Sequence, residues 1–383
     1  MTGIRYFMGT MLLLSSSFLQ ASEEAQEVVS TWMTAAESVS NLQLHIRGTD
    51  IRPPEDSPGF RLPNPPNSAE MTLVFDIEYL WKRPNWERYS RRGNMPSSKG
   101  MRQFNQHRVL FKDEVRELIE GGEDSHMPHD QYKFQQARPV RAIELQPIRN
   151  LFNLNYTASG PFFDAHTFEL VPQGEQTIDG NECLLAESSK EQGARIWFET
   201  AKPHRIHKME LMHLVANRAG HMEYKFKYKS NPAHAPAQKA PVTPFDDLAG
   251  WEIAVFSANG RYRSQIDCRV VSVTINKDVP DSAFELPIPP GALITDYRTK
   301  EREYSLQLAT GSTRPIPQDQ INPQLVLQLS ASVPGSRVAN RGAAQPLETK
   351  RFPLFRPLII GNLIFAGVLI AVHVRKRNAH HVK

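Results

Sequence analysis

Histidine is the residue type in this chain that most invites a search for metal chemistry, since thirteen are present. They include two groups, one of His126 and His129 and one of His204, His207 and His213. In a strand, side chains alternate between faces at about 3.3 Å per residue, so His204 and His207 face opposite ways, and His207 and His213 lie about 20 Å apart. His126 and His129 fall in a predicted loop and would form at most a weak site. We therefore predict no functional metal.

Motifs that support catalysis are missing from the sequence. It has no Gly-rich phosphate-binding loop, no G-x-S-x-G nucleophile elbow, no H-E-x-x-H zinc-protease motif and no paired-cysteine zinc pattern. Each of these motifs places a nucleophile, a metal or a phosphate-binding backbone in a defined geometry. We therefore predict that the protein is not an enzyme and uses no cofactor.

The two cysteines, Cys183 and Cys268, lie in separate strand-like runs. In an exported protein they could oxidise to a disulfide. Closing so long a loop would stabilise the fold by roughly 4–5 kcal/mol in the chain-entropy model. The alternative is a pair of buried free thiols, and the sequence leaves both readings open.

Two short motifs carry the main functional signal. A strand-like run over residues 71–81 leads into Lys82-Arg83-Pro84-Asn85, and a second motif runs from Phe284 through Pro289-Pro290-Gly291 to Asp296. Together, in this order and behind an export signal, they resemble the periplasmic lipoprotein carrier family, the LolA-like proteins. The resemblance is limited to residues 23–300.

The resemblance implies a curved antiparallel sheet whose apolar concavity, covered by helices, admits acyl chains. In that family the arginine of the K-R-P turn is implicated in latching a helical lid, which here points to Arg83. A guanidinium has five donors and can engage the free carbonyls at a helix end. The alternative is that Arg83 only rigidifies a hairpin corner. Trp81, Trp86, Trp197 and Phe198 are candidate cavity-lining residues, or else ordinary core aromatics.

The periodicity of apolar residues predicts elements that suit this architecture. Residues 24–39 have helical spacing and predict one amphipathic helix. Residues 42–46 alternate strictly and begin a series of strand-like runs that continues to residue 275. The interval 137–155 predicts one or two short helices, because Pro147 is allowed only in a first turn. We predict an α+β, mainly β fold: a curved antiparallel sheet (an incomplete barrel) with helices over its concave face, plus a C-terminal transmembrane helix.

The two ends of the chain predict export and anchoring. Residues 1–21 have a basic residue, a short apolar core and a small-residue cleavage site, and so predict a signal peptide, with an uncleaved anchor as the alternative. Residues 352–374 are mostly apolar and predict a transmembrane helix in which Arg356 snorkels to the interface, with a buried core helix as the alternative. The basic residues of the tail at 375–383 place that tail in the cytoplasm.

Between these ends, the sequence predicts a domain outside the cytoplasm and a stalk. The predicted LolA-like domain covers residues 22–300. Residues 301–351 are rich in Pro, Gln and Ser, and predict a poorly structured stalk that leads to the membrane.

Charge and composition limit the partners. The net charge is only +4, and no basic stripe interleaved with aromatics is present, so we predict no nucleic-acid binding. The leading hypothesis is a membrane-anchored periplasmic or other extracytoplasmic protein that binds a lipid or lipidated polypeptide through its acyl chains. The alternative is a sensor or protein-interaction module of the same fold, with a filled core and no cargo. Such a sensor would need a separate membrane-protein partner, because the cytoplasmic tail is short.

Overall fold

The computed structural model describes nine stretches of the chain, which cover most of the predicted body of the protein. They are residues 27–52, 71–121, 128–154, 168–170, 176–188, 194–199, 204–229, 245–298 and 301–339, apart from gaps at 29, 33, 85, 98–99, 113, 137–141, 153, 216–217, 246, 258–259 and 261. The predicted signal peptide, transmembrane helix and cytoplasmic tail lie outside these stretches. Within them, no helix is long and apolar enough to cross a membrane.

One open sheet of seventeen strands dominates the described residues. Its strands are β1 (Asn41–Arg52), β2 (Met71–Lys82), β3 (Trp86–Ser97), β4 (Gly100–Phe111), β5 (Glu114–Ile119), β6 (Gln131–Gln136), β7 (Phe168–Leu170), β8 (Gln176–Ile178), β9 (Asn181–Ser188), β10 (Ala194–Glu199), β11 (Ile206–Val215), β12 (Arg218–Tyr228), β13 (Leu248–Phe256), β14 (Tyr262–Ile275), β15 (Leu293–Asp296), β16 (Glu303–Gln307) and β17 (Thr313–Pro315).

Helical segments are few and short among the described residues. Residues 27–37 form α1, Gln146–Leu151 form α2 and Pro323–Ser332 form α3, with 3₁₀ turns at Ile143–Leu145, Asp281–Phe284 and Gln318–Gln320. Pro147 lies in the first turn of α2, where its missing N–H leaves no bond unmade. The predicted α1, the short helices within 137–155 and the mainly β character are therefore confirmed.

Strand order is set by the ladders. From β9, which pairs with both β7 and β8, the sheet runs through β10, β11, β12, β13 and β14 to β1. It continues through β2, β3, β4, β5 and β6 to β15, β16 and β17. All of these ladders are antiparallel except β6–β15, which is parallel. Pairing β1 with β14 joins the first strand to the end of the meander.

The two faces of the sheet differ because the strands alternate. On β2, Phe75, Ile77, Tyr79 and Trp81 are buried on the inner face, while Val74 between them is exposed on the outer face. The inner face carries the main hydrophobic core. α1 packs there through Val28 and Trp32, together with Val39 in the turn after it, and the middle helical segment packs there through Leu145, Ile148 and Leu151. Both helical segments therefore cover the inner face.

Residues 279–294 pack against the outer face at one end of the sheet. A second core joins Val279, Phe284 and Leu286 to Val109 and Leu118, which lie on β4 and β5. The Tyr132 hydroxyl donates to the Leu286 carbonyl over 2.7 Å. The Pro-Pro-Gly motif therefore belongs to a segment that closes over the outer face.

The prediction of an unstructured stalk is wrong for residues 301–339. They hold β16, β17 and α3, and a third core places Leu306, Ile316, Val326 and Val333 against Leu293. Asn322 caps α3 by accepting from the Leu325 N–H over 2.8 Å. The apolar residues of this region are sparse, and β16 and α3 bury only one each while β17 is exposed, so its composition looks like that of a linker.

Candidate functional site

Arg83 lies at the corner between β2 and β3 and holds the end of α1. Its Nε donates to the Val39 carbonyl over 2.7 Å, and its Nη2 donates to the Glu37 carbonyl over 2.8 Å and the Ala36 carbonyl over 3.4 Å. The Glu37 carbonyl is one that the helix itself cannot satisfy at its C-terminus, whereas the Ala36 carbonyl also accepts from the Val39 N–H over 3.2 Å. A cation at this end also complements the helix dipole. The predicted geometry, a guanidinium on the free carbonyls of a helix end, is present.

Asn276, just after β14, supports the same turn from the other side. Its Oδ1 accepts from the Ser40 N–H over 2.7 Å, and its Nδ2 donates to the Ser38 carbonyl over 2.9 Å. The sequence did not single out this residue, because it lies more than 230 positions from the bonds it makes. The turn after α1 is therefore held by polar groups from two separate strand ends.

Trp81 lies on the inner face beneath Arg83. The Arg83 guanidinium is 5.8 Å from the centre of its ring, within range of a cation–π contact. The ring is buried in the main core, and its indole Nε1–H has no hydrogen-bond partner in the described part of the chain. A buried donor of this kind is costly unless something accepts from it.

The four aromatic candidates do not line one cavity. Trp81 and Phe198 belong to the main inner core, Trp86 to the outer core with Phe284, and Trp197 to a small cluster with Cys183. Adjacent residues on a strand point to opposite faces, which separates Trp197 from Phe198. The expectation of one aromatic-lined cavity is thus wrong for Trp86 and Trp197, and only Trp81 and Phe198 share the inner face.

A buried ion pair fastens α2 to the inner face. Arg149 Nη2 lies 2.9 Å from Glu87 Oε2, and both side chains are only 1% exposed. The Tyr79 hydroxyl donates to the other Glu87 oxygen over 3.1 Å, and the Arg149 guanidinium is 5.6 Å from the Tyr79 ring centre. Burial, and then the Glu87 charge, raise the pKa of Tyr79 well above its usual range. This hydroxyl therefore stays neutral and acts as a donor.

A second ion pair of reversed polarity lies nearby. Arg91 Nη1 on β3 is 2.7 Å from Glu144 Oε1, and the Glu144 side chain is 4% exposed. The backbone carbonyl of Glu144 also accepts from the Trp251 indole N–H over 3.0 Å. β3 thus presents an acid at Glu87 and a base at Arg91, and the helical segment pairs Arg149 with the first and Glu144 with the second.

Sequence reasoning missed this charged cluster. Glu87 and Arg149 are 62 positions apart, and each looks like an ordinary surface charge in its own segment. A signal was present at Glu87, which lies directly opposite Trp81 in the β2–β3 ladder and therefore shares its inner face. A charge at such a position predicts a buried partner.

Cys183 and Cys268 are both free and buried. They belong to different clusters, so the disulfide is absent and the alternative of two free thiols holds in this structure. Burial raises the pKa of Cys183 to about 11 and raises that of Cys268 well above its usual range.

The described histidines of the two groups contact a glutamate or are buried singly. His207 Nε2 is 2.7 Å from a Glu199 carboxylate oxygen, and His204 Nδ1 is 3.1 Å from the Glu199 carbonyl. His129 is buried, while His126 lies outside the described residues. No group of metal-ligating side chains occurs in the parts of the chain with described positions.

An open groove of about 640 Å³ lies on the outer face of β1–β4. It is lined by polar and charged side chains of both signs, including Arg47, Asp76, Arg92 and Glu120. Arg47 Nε pairs with Asp76 over 2.7 Å, and Glu120 pairs with Arg337 over 2.7 Å. The groove is therefore unsuited to acyl chains.

Comparison with known proteins gives structural likeness only. No family model matches the chain, and no curated protein matches it. Solved structures that it is similar to include a domain named for outer membrane lipoprotein sorting from Vibrio parahaemolyticus, at 7% identity and a TM-score of 0.36, covering 69% of this chain and 97% of that one.

Two further structures are similar over a comparable span. A DUF1329 family protein from Desulfovibrio piger has 9% identity and a TM-score of 0.30, covering 69% of this chain and 97% of that one. LprF from Mycobacterium bovis has 10% identity and a TM-score of 0.26, covering 68% of this chain and 98% of that one. Likeness to a lipoprotein-sorting domain, which the two motifs predict, thus occurs among solved structures. Scores this low carry no argument about the activity of this chain.

Proposed function

We propose that this chain is a membrane-anchored, extracytoplasmic and non-enzymatic protein that binds a lipid or lipidated polypeptide on the inner face of its sheet. The observation that carries the proposal is the way α1 is held. Its apolar side covers the inner core, while its C-terminal turn is fastened by polar side chains, chiefly Arg83. A cover held at one end by polar bonds can open without rebuilding the sheet beneath it.

Trp81 supports the same proposal. Its indole N–H is buried beside the latch without a partner in the described residues, so an ester or carboxyl oxygen entering there would gain a hydrogen bond. The large apolar surface around it, from Leu44 to Ile253, suits an acyl chain once α1 is displaced. Anchoring through residues 352–374 would keep this site at the membrane that supplies the lipid.

The test removes the latch. Arg83→Leu deletes three bonds to carbonyls at an exposed corner, so it should lower the free energy of unfolding by only about 1 kcal/mol. It should nevertheless change the apparent affinity for an environment-sensitive fluorescent fatty acid, because affinity follows the fraction of open molecules. Arg83→Lys should restore the wild-type value only in part, because an ammonium lacks the planar fork.

A matched control variant loses one positive charge, as Arg83→Leu does, but leaves the Arg83 latch intact. Arg263 is exposed on β14, so Arg263→Leu should bind the probe as wild type does. If Arg83→Leu and wild type bind the probe equally, Arg83 is a hairpin corner. If neither binds it, the carrier proposal fails.

The second candidate is an interaction or sensor module without cargo. The observation that favours it is that residues 143–152 fill part of the inner face and are fixed there by two buried ion pairs. Mass spectrometry of organic extracts from the purified full-length protein distinguishes the two. Copurified lipid supports the carrier, and a protein free of lipid that still binds a membrane-protein partner supports the module.

A further inference from the structure

We propose that the inner face recognises a short polypeptide segment at the place now filled by residues 143–151 of this same chain. We call these residues, the 3₁₀ turn Ile143–Leu145 and α2, the plug. The inference rests on the proposed function, because it names the kind of cargo that the inner face takes. It identifies the occupant as a polypeptide, with or without an acyl chain, rather than as a bare lipid.

The surface beneath the plug, which we call the floor, is chemically specific. It presents the Glu87 carboxylate, the Arg91 guanidinium and the Trp251 indole N–H. In the present structure the plug binds each of them. The Arg149 guanidinium pairs with Glu87, the Glu144 carboxylate pairs with Arg91, and the Glu144 carbonyl accepts from Trp251. Any occupant that replaces the plug must therefore supply a cation for Glu87, an anion for Arg91 and a hydrogen-bond acceptor for Trp251.

A bare acyl chain cannot meet them. It would take from the buried Glu87 carboxylate and the partly buried Arg91 guanidinium the ion-pair partners that the plug supplies, and removing one partner of a buried pair is strongly unfavourable. It would also leave the Trp251 donor unbonded. A polypeptide backbone supplies carbonyls at every residue, and its side chains supply both charges. The floor therefore favours a polypeptide over a hydrocarbon.

The spacing of the floor charges also selects the occupant. Glu87 and Arg91 are four residues apart on β3, which places their Cα atoms about 13 Å apart on one face of the sheet. A lipid headgroup holds its charges on neighbouring groups and cannot reach both sites. In the plug, the acid and the base are five residues apart in sequence, at Glu144 and Arg149.

Around its two charges the plug supplies apolar side chains at a spacing of three residues. Leu145, Ile148 and Leu151 are fully buried in the main core. The occupant that fits is therefore a short segment built like the plug, in which an acid in a 3₁₀ turn precedes by five residues a base in the α-helical turn that follows, with apolar residues facing the sheet. The chain's own plug is such a segment and would compete with it.

A peptide that copies residues 142–152 provides the probe. The host is the full-length protein in detergent carrying Glu144→Gln and Arg149→Met, which removes the charges of the plug and leaves those of the floor. Fluorescence anisotropy should show the native-sequence peptide binding at least tenfold more tightly than a control peptide with Glu144→Gln and Arg149→Met. Both peptides have the same length and apolar residues, so the difference reports the two charges alone.

A second variant of the full-length protein provides the test if the Glu144→Gln and Arg149→Met protein does not fold. Ile148→Ala loosens the plug while all four charges stay in place, and the native-sequence peptide should again outcompete the neutral one. Equal binding of the two peptides, or binding of neither, in a folded host would overturn the inference. If neither peptide binds while the fluorescent fatty acid does, a lipid is the occupant, and the proposed function survives without this inference.

Discussion

At the scale of single residues, Arg83 shows how a side chain can be placed from sequence. It follows a strand and precedes a proline, so it had to lie at a corner, and its five donors suit the free carbonyls of a helix end. The structure puts it on the carbonyls of Ala36, Glu37 and Val39. Whether it works as a latch is the question that the fatty-acid experiment answers.

The cysteines give a second prediction at this scale. Both thiols are buried, and burial raises the pKa of Cys183 to about 11, so the reactive thiolate is scarce at neutral pH. Native protein should react slowly with iodoacetamide or a thiol-exchange reagent. After denaturation without reductant, two thiols per chain should titrate. Titration of none would show that the pair is oxidised and that the free-thiol state is wrong.

His129 predicts a dependence of stability on pH. It is buried, and burial lowers its pKa below the usual value of 6.5. Below pH 6.5 the unfolded state therefore binds a proton that the folded state resists, and folding stability falls as the pH falls toward the lower, folded-state pKa. Above pH 6.5 both states are neutral at this residue, and its contribution does not change.

The measurement compares the free energy of unfolding in urea at pH 7.5 and pH 5.5. His129→Leu keeps a neutral side chain of similar bulk at this site, so its stability should fall less than that of the wild type over this interval. The other histidines are common to both proteins and cancel in the comparison. An identical pH dependence in the two proteins would show that His129 is protonated in the folded state.

At the scale of elements, local pattern predicted most of the sheet but none of its charged interior. Alternation located β1 and β2, and Pro147 correctly limited the middle helix to short segments. The pairing of Glu87 with Arg149 depends on how the plug crosses β3, which no local pattern encodes. Both residues are polar, so composition alone places them at the surface, and only the register of β2 with β3, which sets Glu87 opposite Trp81, marks Glu87 as buried.

The Glu87–Arg149 pair predicts a strongly non-additive mutant cycle. Arg149→Met leaves the Glu87 carboxylate in the core with only its remaining hydrogen bonds, and should cost about 3–5 kcal/mol of stability. Glu87→Gln leaves the guanidinium buried in turn. The double variant removes both charges and should be more stable than the sum of the two losses predicts. Urea unfolding of the four proteins measures this coupling.

A matched pair at the surface supplies the control for that cycle. Arg195 and Glu187 are 2.6 Å apart but roughly half exposed, so their coupling should stay below about 1 kcal/mol. Coupling of similar size in both pairs would mean that burial does not strengthen the Glu87–Arg149 interaction.

At the scale of the whole molecule, the folded body extends past the boundary that the sequence suggested. The sequence placed the end of the domain at residue 300 because Pro, Gln and Ser are abundant in residues 301–351. The structure instead continues the sheet through β15, β16 and β17 and packs α3 beneath them. The Arg337 guanidinium also pairs with the Glu120 carboxylate over 2.7 Å. This contact joins two segments that lie far apart in the sequence, so the local composition cannot predict it.

This extension predicts where the chain can be cut. A protein ending after residue 300 loses the partners of Leu293 in the third core, where each fully buried side chain contributes about 1.5–3 kcal/mol, and it exposes β15 as a new sheet edge. It should unfold at lower urea concentration and aggregate, whereas a protein ending after residue 339 should keep the stability of the longer chain.

Limited proteolysis of the full-length protein should accordingly spare residues 303–336, because their backbone is hydrogen-bonded and their apolar side chains are buried. Early cleavage between β17 and α3, or equal stability of the two shortened proteins, would show that residues 301–339 are a poorly structured stalk and not part of the folded body.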